Sequence, residues 1–120
     1  MYGVNAQPKV LTDASLKQVI VEISQKRLGA TAVVDADGKL SGIITDGDLR
    51  RMLEKNDSLE NIVAENILSP DPKTIMPGEL AVTALDVLRQ FDISQLVVTD
   101  ENGYYLGMIH IHDLIREGIV

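Results

Sequence analysis

The sequence predicts a mixed α/β (α+β) fold: two β-α-β-β-α repeats packed with pseudo-twofold symmetry. Three observations predict it. The run Val33-Val34-Asp35-Ala36-Asp37-Gly38-Lys39-Leu40-Ser41-Gly42-Ile43-Ile44 returns as Val98-Thr99-Asp100-Glu101-Asn102-Gly103-Tyr104-Tyr105-Leu106-Gly107-Met108-Ile109. Each copy leads into an acidic helix start, Thr45-Asp46-Gly47-Asp48 in the first and His110-Ile111-His112-Asp113 in the second. Each copy is also preceded by a helical apolar pattern. Two copies of one supersecondary unit bury their apolar faces on each other, so the seam between them is where a ligand is sought.

The elements follow in order. Residues 1–9 read as a tail or linker end, residues 10–55 as the first repeat, 56–73 as a packed connector and 74–120 as the second repeat. Val10-Leu11 is a short strand. Thr12 or Asp13 suits a helix N-cap. Leu16, Val19, Ile20, Ile23 and Leu28 share a helical face, and Gly29 ends that helix in the left-handed region. Thr31 to Val34 is a buried strand, Asp35 to Gly38 a hairpin turn and Leu40 to Ile44 the return strand. A helix follows from near Asp46 to near Lys55.

In the connector, Leu59, Ile62, Val63, Ile67 and Leu68 predict a short amphipathic helix, broken by Ser69-Pro70-Asp71-Pro72. In the second repeat Thr74-Ile75 is the short strand. Leu80, Thr83, Ala84, Val87, Leu88 and Phe91 form the helix face. Leu96 to Thr99 and Leu106 to Ile109 are the hairpin strands, and Leu114 and Ile115 lie on the closing helix. The hairpins align with an offset of 65 residues (Val33 on Val98), the first helices with one of 64 (Leu16 on Leu80). This places a one-residue insertion near Phe91-Asp92.

Composition bounds the function. The 120 residues carry a net charge of −7, which disfavours nucleic acid, because a phosphate backbone needs clustered Lys and Arg. There is no cysteine, so neither a disulfide framework nor a thiolate metal site is available. No apolar run reaches the roughly 20 residues that span a bilayer. The N-terminus lacks signal-peptide character. The expectation is a cytoplasmic chain without membrane contact.

Thr45 closes a strand and Asp48 lies in the first helical turn. A phosphate is favoured at such a helix start, and a carboxylate three residues on can accept from a ribose diol. Thr45-x-x-Asp48 therefore suits a ribonucleotide. Simple capping of the helix by Asp46 or Asp48 is the alternative. His110 and Asp113 hold the matching places in the second repeat, so the two grooves differ in chemistry. His110 and His112 alternate along a strand and have the spacing for one zinc ion. The strand yields to helix there and no third ligand is evident, so no metal is expected.

The short strand, helix, apolar strand ending in Asp, Gly-containing turn, Gly-hydrophobic-Ile and Asp-opened helix resemble the tandem CBS domain, or Bateman module. The resemblance runs from about Lys9 to Gly118. Lys26 to Asp35, Gly42 to Arg51, Pro72 to Ile75 and His110-Ile111-His112-Asp113-Leu114 more narrowly resemble the C-terminal regulatory pair of arabinose-5-phosphate isomerases, which feed synthesis of the lipopolysaccharide sugar Kdo. Two places depart from the pattern: Asn66-Ile67-Leu68 stands where Asp-Ile-Met is common, and Ala32 and Val97 where Pro is common.

The resemblance implies a regulatory module without catalytic residues or a required cofactor. Its implied effector is an adenine nucleotide or a nucleotide sugar such as CMP-Kdo. Its implied partners are a second copy (a homodimer, or a tetramer through the parent enzyme) and a preceding sugar-isomerase domain. Candidate ligand residues are Thr12, Ala30, Thr31, Thr45 and Asp48 from the first repeat and Met76, Ser94, Gln95, His110 and Asp113 from the second. The alternatives are a structural dimerisation module with empty grooves and an independent enzyme. No nucleophile triad, phosphate loop or carboxylate pair supports the enzyme.

Overall fold

The computed structural model of the chain describes residues 7–79 and 81–116. The expected tail up to Ala6, the expected helix-face residue Leu80 and residues 117–120 lie outside the described residues. The first repeat comprises β1 (Lys9–Leu11), α1 (Leu16–Lys26), β2 (Ala30–Val34), β3 (Leu40–Thr45) and α2 (Asp46–Lys55). A single helical turn, α3 (Ala64–Ile67), lies in the connector. The second repeat comprises β4 (Thr74–Ile75), α4 (Ala81–Gln90), β5 (Gln95–Thr99), β6 (Tyr105–His110) and α5 (Ile111–Arg116).

Each repeat forms its own three-stranded sheet, ordered β1-β2-β3 and β4-β5-β6, with one parallel and one antiparallel pairing. β2 is buried along its whole length, Thr31 included. The turns are copies of one another. Asp35 Oδ1 accepts from the backbone N–H of Asp37 and Lys39, and Asp100 Oδ1 from those of Asn102 and Tyr104. Gly38 (φ 91°) and Gly103 (φ 88°) supply the left-handed residue each turn needs.

The register corrects the expected insertion. Lys9 pairs with Ala32 and Thr74 with Val97, both pairs offset by 65 residues. The turn Ala14 N–H to Leu11 C=O likewise recurs as Glu79 N–H to Met76 C=O. Buried Val19 and Ile23 of α1 correspond to buried Ala84 and Leu88 of α4. The offset is 65 from β1 to α5, and nothing is inserted at Phe91-Asp92. The buried face of α4 is therefore Ala84, Leu85 and Leu88; Thr83 and Phe91 are exposed. Ile20, expected on the buried face of α1, is exposed too.

Three local expectations also change. The N-cap of α1 is Ser15, not Thr12 or Asp13. A reciprocal capping box decides this: Gln18 N–H donates to Ser15 Oγ and Ser15 N–H to Gln18 Oε1. α1 ends at Lys26, with Arg27 in the left-handed cap position (φ 59°) ahead of Gly29 (φ 72°). The connector is helical only over Ala64–Ile67, because Asn61 turns left-handed (φ 63°) and Val63 bridges to Ser15.

The connector docks on the first repeat. Ser69 and Ile43 exchange both backbone hydrogen bonds, at 2.9 and 3.1 Å. The approach is so close that a Cβ on Gly42 would lie 2.6 Å from Ser69 O. Glycine is required there by contact rather than by φ.

The pseudo-twofold axis is visible in hydrogen bonds. Leu40 N–H donates to Gly103 C=O and Tyr105 N–H to Gly38 C=O, around a bridge between Lys39 and Tyr104. The two hydrogen bonds exchange under the 65-residue offset, and the bridge maps on itself. A shared apolar layer lies beneath: Ala30, Val97 and Met108 are buried, with Leu28, Leu40, Ile43 and Tyr105 packed against them. Each repeat also has its own core, centred on Val33 and Ile44 in the first and on Val98 and Ile109 in the second.

Candidate functional site

At one end of the axis the repeats part and leave a cleft of about 560 Å³. Its walls come from both repeats. Ile23, Ser24, Arg27, Leu28, Gly29 and Asp46 face Ser94, Gln95, His110 and His112. β2 begins just after Gly29 and β5 just after Ser94, positions that are equivalent under the offset. The hydrogen bonds that follow them are equivalent as well: Asp46 N–H donates to Gly29 C=O at 3.0 Å and Ile111 N–H to Ser94 C=O at 2.8 Å. Gln95 bridges the seam by donating from Nε2 to Leu28 C=O at 2.8 Å.

The first helix start is closed on itself. Thr45 caps α2, with Asp48 N–H donating to Thr45 Oγ1 at 3.2 Å. Asp48 Oδ2 accepts from Thr45 N–H at 2.9 Å and from Thr45 Oγ1 at 3.1 Å. Oδ1 accepts from Arg51 at 2.6 Å and from Ser69 Oγ at 2.9 Å. Burial alone would raise the Asp48 pKa, but donors from Thr45, Arg51 and Ser69 outweigh it and hold the carboxyl below its ordinary range.

The second helix start is built differently. Asp113 Oδ2 accepts from His110 N–H at 3.0 Å, and Oδ1 accepts from Arg116. Position 110 supplies no hydroxyl. Its imidazole Nδ1 instead accepts from His112 N–H at 3.0 Å, and the two rings lie 4.5 Å apart, tilted by 52°. Burial lowers the His110 pKa, His112 and Arg116 lower it further, and Asp113 opposes them.

Of the ten candidate residues, Ser94, Gln95 and His110 line the inter-repeat cleft. Asp48 lines a smaller 210 Å³ hollow with Arg51, Met52, Lys55, Asn56, Asn66 and Ile67. Neither Asp48 nor Asp113 is in the wall of the large cleft. Ala30 and Thr31 are fully covered, and the Thr31 hydroxyl donates to Ala32 C=O. Thr12 is half-buried, and its carbonyl accepts from Glu65 N–H in the connector. Met76 is exposed and occupies the place of Leu11, not of Thr12.

The cleft adds Arg27, Asp46 and His112, which composition and spacing did not single out as site residues. The signal was present in the offset: Gly29 and Ser94 are equivalent, so what flanks one faces what flanks the other. Among the described residues, no group of three or more His, Asp or Glu is placed to hold a metal ion. No described helix is long and apolar enough to cross a membrane.

The CBS domain family model matches residues 5–55 and again residues 63–119. The chain belongs to the CBS domain family. It holds two such domains, a CBS pair. Arabinose 5-phosphate isomerase KdsD of Salmonella typhi is 37% identical over 113 residues, covering 94% of this chain and 34% of that protein. KdsD of Pseudomonas aeruginosa is 37% identical, covering 94% of this chain and 35% of that protein. The CBS pair thus spans about a third of the length of these relatives.

Solved structures agree on the fold. A CBS domain protein from Pyrobaculum aerophilum complexed with AMP superposes with a TM-score of 0.80 at 21% identity, covering 92% of this chain and 84% of that one. The CBS domain pair of protein MJ0100, in complex with 5′-methylthioadenosine and S-adenosyl-L-methionine, gives 0.82 at 21% identity, covering 94% and 92%.

Proposed function

We propose that this CBS pair is a regulatory module that senses an adenine nucleotide or a nucleotide sugar such as CMP-Kdo. It modulates an arabinose-5-phosphate isomerase domain joined to it, and has no catalysis of its own. The observation that carries this reading is the KdsD match, which runs over 94% of this chain but a third of the relative. A module of that extent has the isomerase chemistry outside it.

The cleft supports the ligand half of the reading. Its 560 Å³ lies within the range of small-molecule pockets, roughly 300–1,000 Å³. Arg27, Ser24, Ser94 and His110 offer donors to an anionic group. A ligand held by both repeats favours one arrangement of the seam and so biases whatever is attached; such couplings amount to about 1–3 kcal/mol. Asp48 accepts four hydrogen bonds and receives a ribose only by giving up a present partner. Asp113 accepts from His110 N–H and Arg116, one on each oxygen, and keeps lone pairs for a further donor.

Thermal melts with AMP, ATP, S-adenosylmethionine and CMP-Kdo test the reading. A saturable rise in Tm is expected with at least one of them, reaching about 2.7 kcal/mol of stabilisation at a hundredfold excess over Kd. Arg27→Ala and Asp113→Asn are expected to weaken it.

A structural dimerisation module is the second reading. It is favoured by exposed apolar side chains on the outer helices: Ile20 and Val21 on α1, Val82 on α4 and Ile115 on α5. No Tm shift with any of the four ligands at millimolar concentration, together with a dimer in sedimentation, selects it over the sensor.

A further inference from the structure

At His110 the duplicated frame changes the chemistry of a helix cap. In the first repeat a hydroxyl, Thr45 Oγ1, accepts the N–H of Asp48, the third residue of α2. A hydroxyl is an acceptor at any ordinary pH. In the second repeat the acceptor is the imidazole Nδ1 of His110, taking the N–H of His112 at 3.0 Å. A ring nitrogen accepts only while it is unprotonated. This bond therefore fixes the neutral tautomer with its proton on Nε2. A proton on Nδ1 would face the His112 N–H, donor against donor.

We propose that His110 is a proton-sensitive clasp on α5: its neutral ring holds the closing helix, and its protonation releases it. The bond at stake closes the first turn of a six-residue helix. That helix buries Leu114 fully and positions Asp113 beneath the His110 backbone N–H.

The charged groups around the ring are His112, Asp113 and Arg116 on α5. Across the cleft they are Arg27 at the end of α1 and Asp46 at the start of α2. Ser94 and Gln95 add neutral groups. Burial, His112 and Arg116 favour the neutral ring, and Asp113 works against them. The sign follows. A histidine whose folded pKa lies below its unfolded value of about 6.5 gives its full stabilisation above that pH. The stabilisation is lost as pH falls towards and through the folded pKa. Protonation also adds positive charge to the cleft wall, so loosening of α5 and attraction of an anion rise together on acidification.

Amide hydrogen exchange of the whole chain, with the His110 ring shift followed by NMR over the same pH range, tests this. As His110 titrates, protection of the α5 amides, corrected for intrinsic rates, is expected to fall about fivefold, the size of a lost cap. The α2 amides should keep theirs. His110→Thr, which restores the hydroxyl of the first repeat, should abolish the α5 response in a folded protein. His112→Gln keeps the backbone donor and should retain it. Unchanged α5 protection through the His110 titration overturns the proposal, as does a response that survives in His110→Thr or vanishes in His112→Gln.

Discussion

Ser69 ties the connector to the first helix start, and cutting that tie has a calculable cost. The Ser69 hydroxyl donates to Asp48 Oδ1 at 2.9 Å, on a carboxylate that is 7% exposed. Hydrogen bonds to charged groups are worth about 1.5–3 kcal/mol, and the lower end applies because Arg51 still holds the same oxygen. Ser69→Ala should therefore cost about 1.5 kcal/mol, or roughly 5 °C in Tm for a chain of this size. Asp48→Ala removes the acceptor of four bonds and leaves the Thr45 N–H and the Ser69 hydroxyl without it, for about 3–4 kcal/mol. The two substitutions share one bond, so the double variant should be more stable than additivity predicts, by about 1 kcal/mol. Urea unfolding of the four proteins at pH 7, with equal m-values, measures this. A coupling within the roughly 0.3 kcal/mol of ordinary additivity would show that Ser69 does not latch the connector.

Other perturbations have equally definite outcomes. Gly42→Ala sets a Cβ 2.6 Å from Ser69 O, so the connector must lift; a loss of about 3 kcal/mol in urea unfolding is expected, from overpacking and two backbone bonds. Gly103→Ala meets nothing within 4 Å and should cost only the left-handed strain, about 1 kcal/mol. The Asp48 carboxyl titrates below its unfolded value of about 3.9, so its stabilisation is full above that pH and is lost as pH falls through the folded pKa. In Asp48→Asn, acid unfolding curves should lose that limb. Tyr105→Phe removes the hydrogen bond to Pro8 C=O, 2.8 Å long, and should lower stability by about 1 kcal/mol in the same urea assay.

Much of this fold was legible in the sequence because short-range chemistry dictates it. The paired turns were marked by Asp and Gly at fixed spacing, and α2 runs over the residues expected, Asp46–Lys55. The α4 face was misread because an amphipathic helix tolerates a slip. With Ala84, Leu85, Val87 and Leu88 adjacent, a one-residue error still leaves an apolar stripe, and only the strand register of Thr74 against Val97 removes the ambiguity. The connector misled for a related reason: its aliphatics keep helical spacing, yet Val63 is spent on a bridge to Ser15. The wall of the cleft was legible where it depends on the repeat, as for Ser94, Gln95 and His110. Arg27 and Asp46 flank Gly29, so no local pattern marks them and only the pairing of Gly29 with Ser94 under the offset does.

The distribution of bonds divides the molecule at the seam between its repeats. The connector is fastened to the first repeat by Ser69 on Ile43, by Ala64 N–H to Ala14 C=O, by Glu65 N–H to Thr12 C=O and by the Ser69–Asp48 latch. First repeat and connector are therefore one mechanical unit. The second repeat meets that unit through Leu40 with Gly103, Tyr105 with Gly38, Gln95 with Leu28, Tyr105 with Pro8 and the layer around Ala30, Val97 and Met108. The Gln95 bond crosses at the cleft, whereas the backbone pair lies at the turns on the axis. Pro8 C=O accepts from Ala32 N–H in the first repeat and from the Tyr105 hydroxyl in the second, so the seam is also tied together at Pro8.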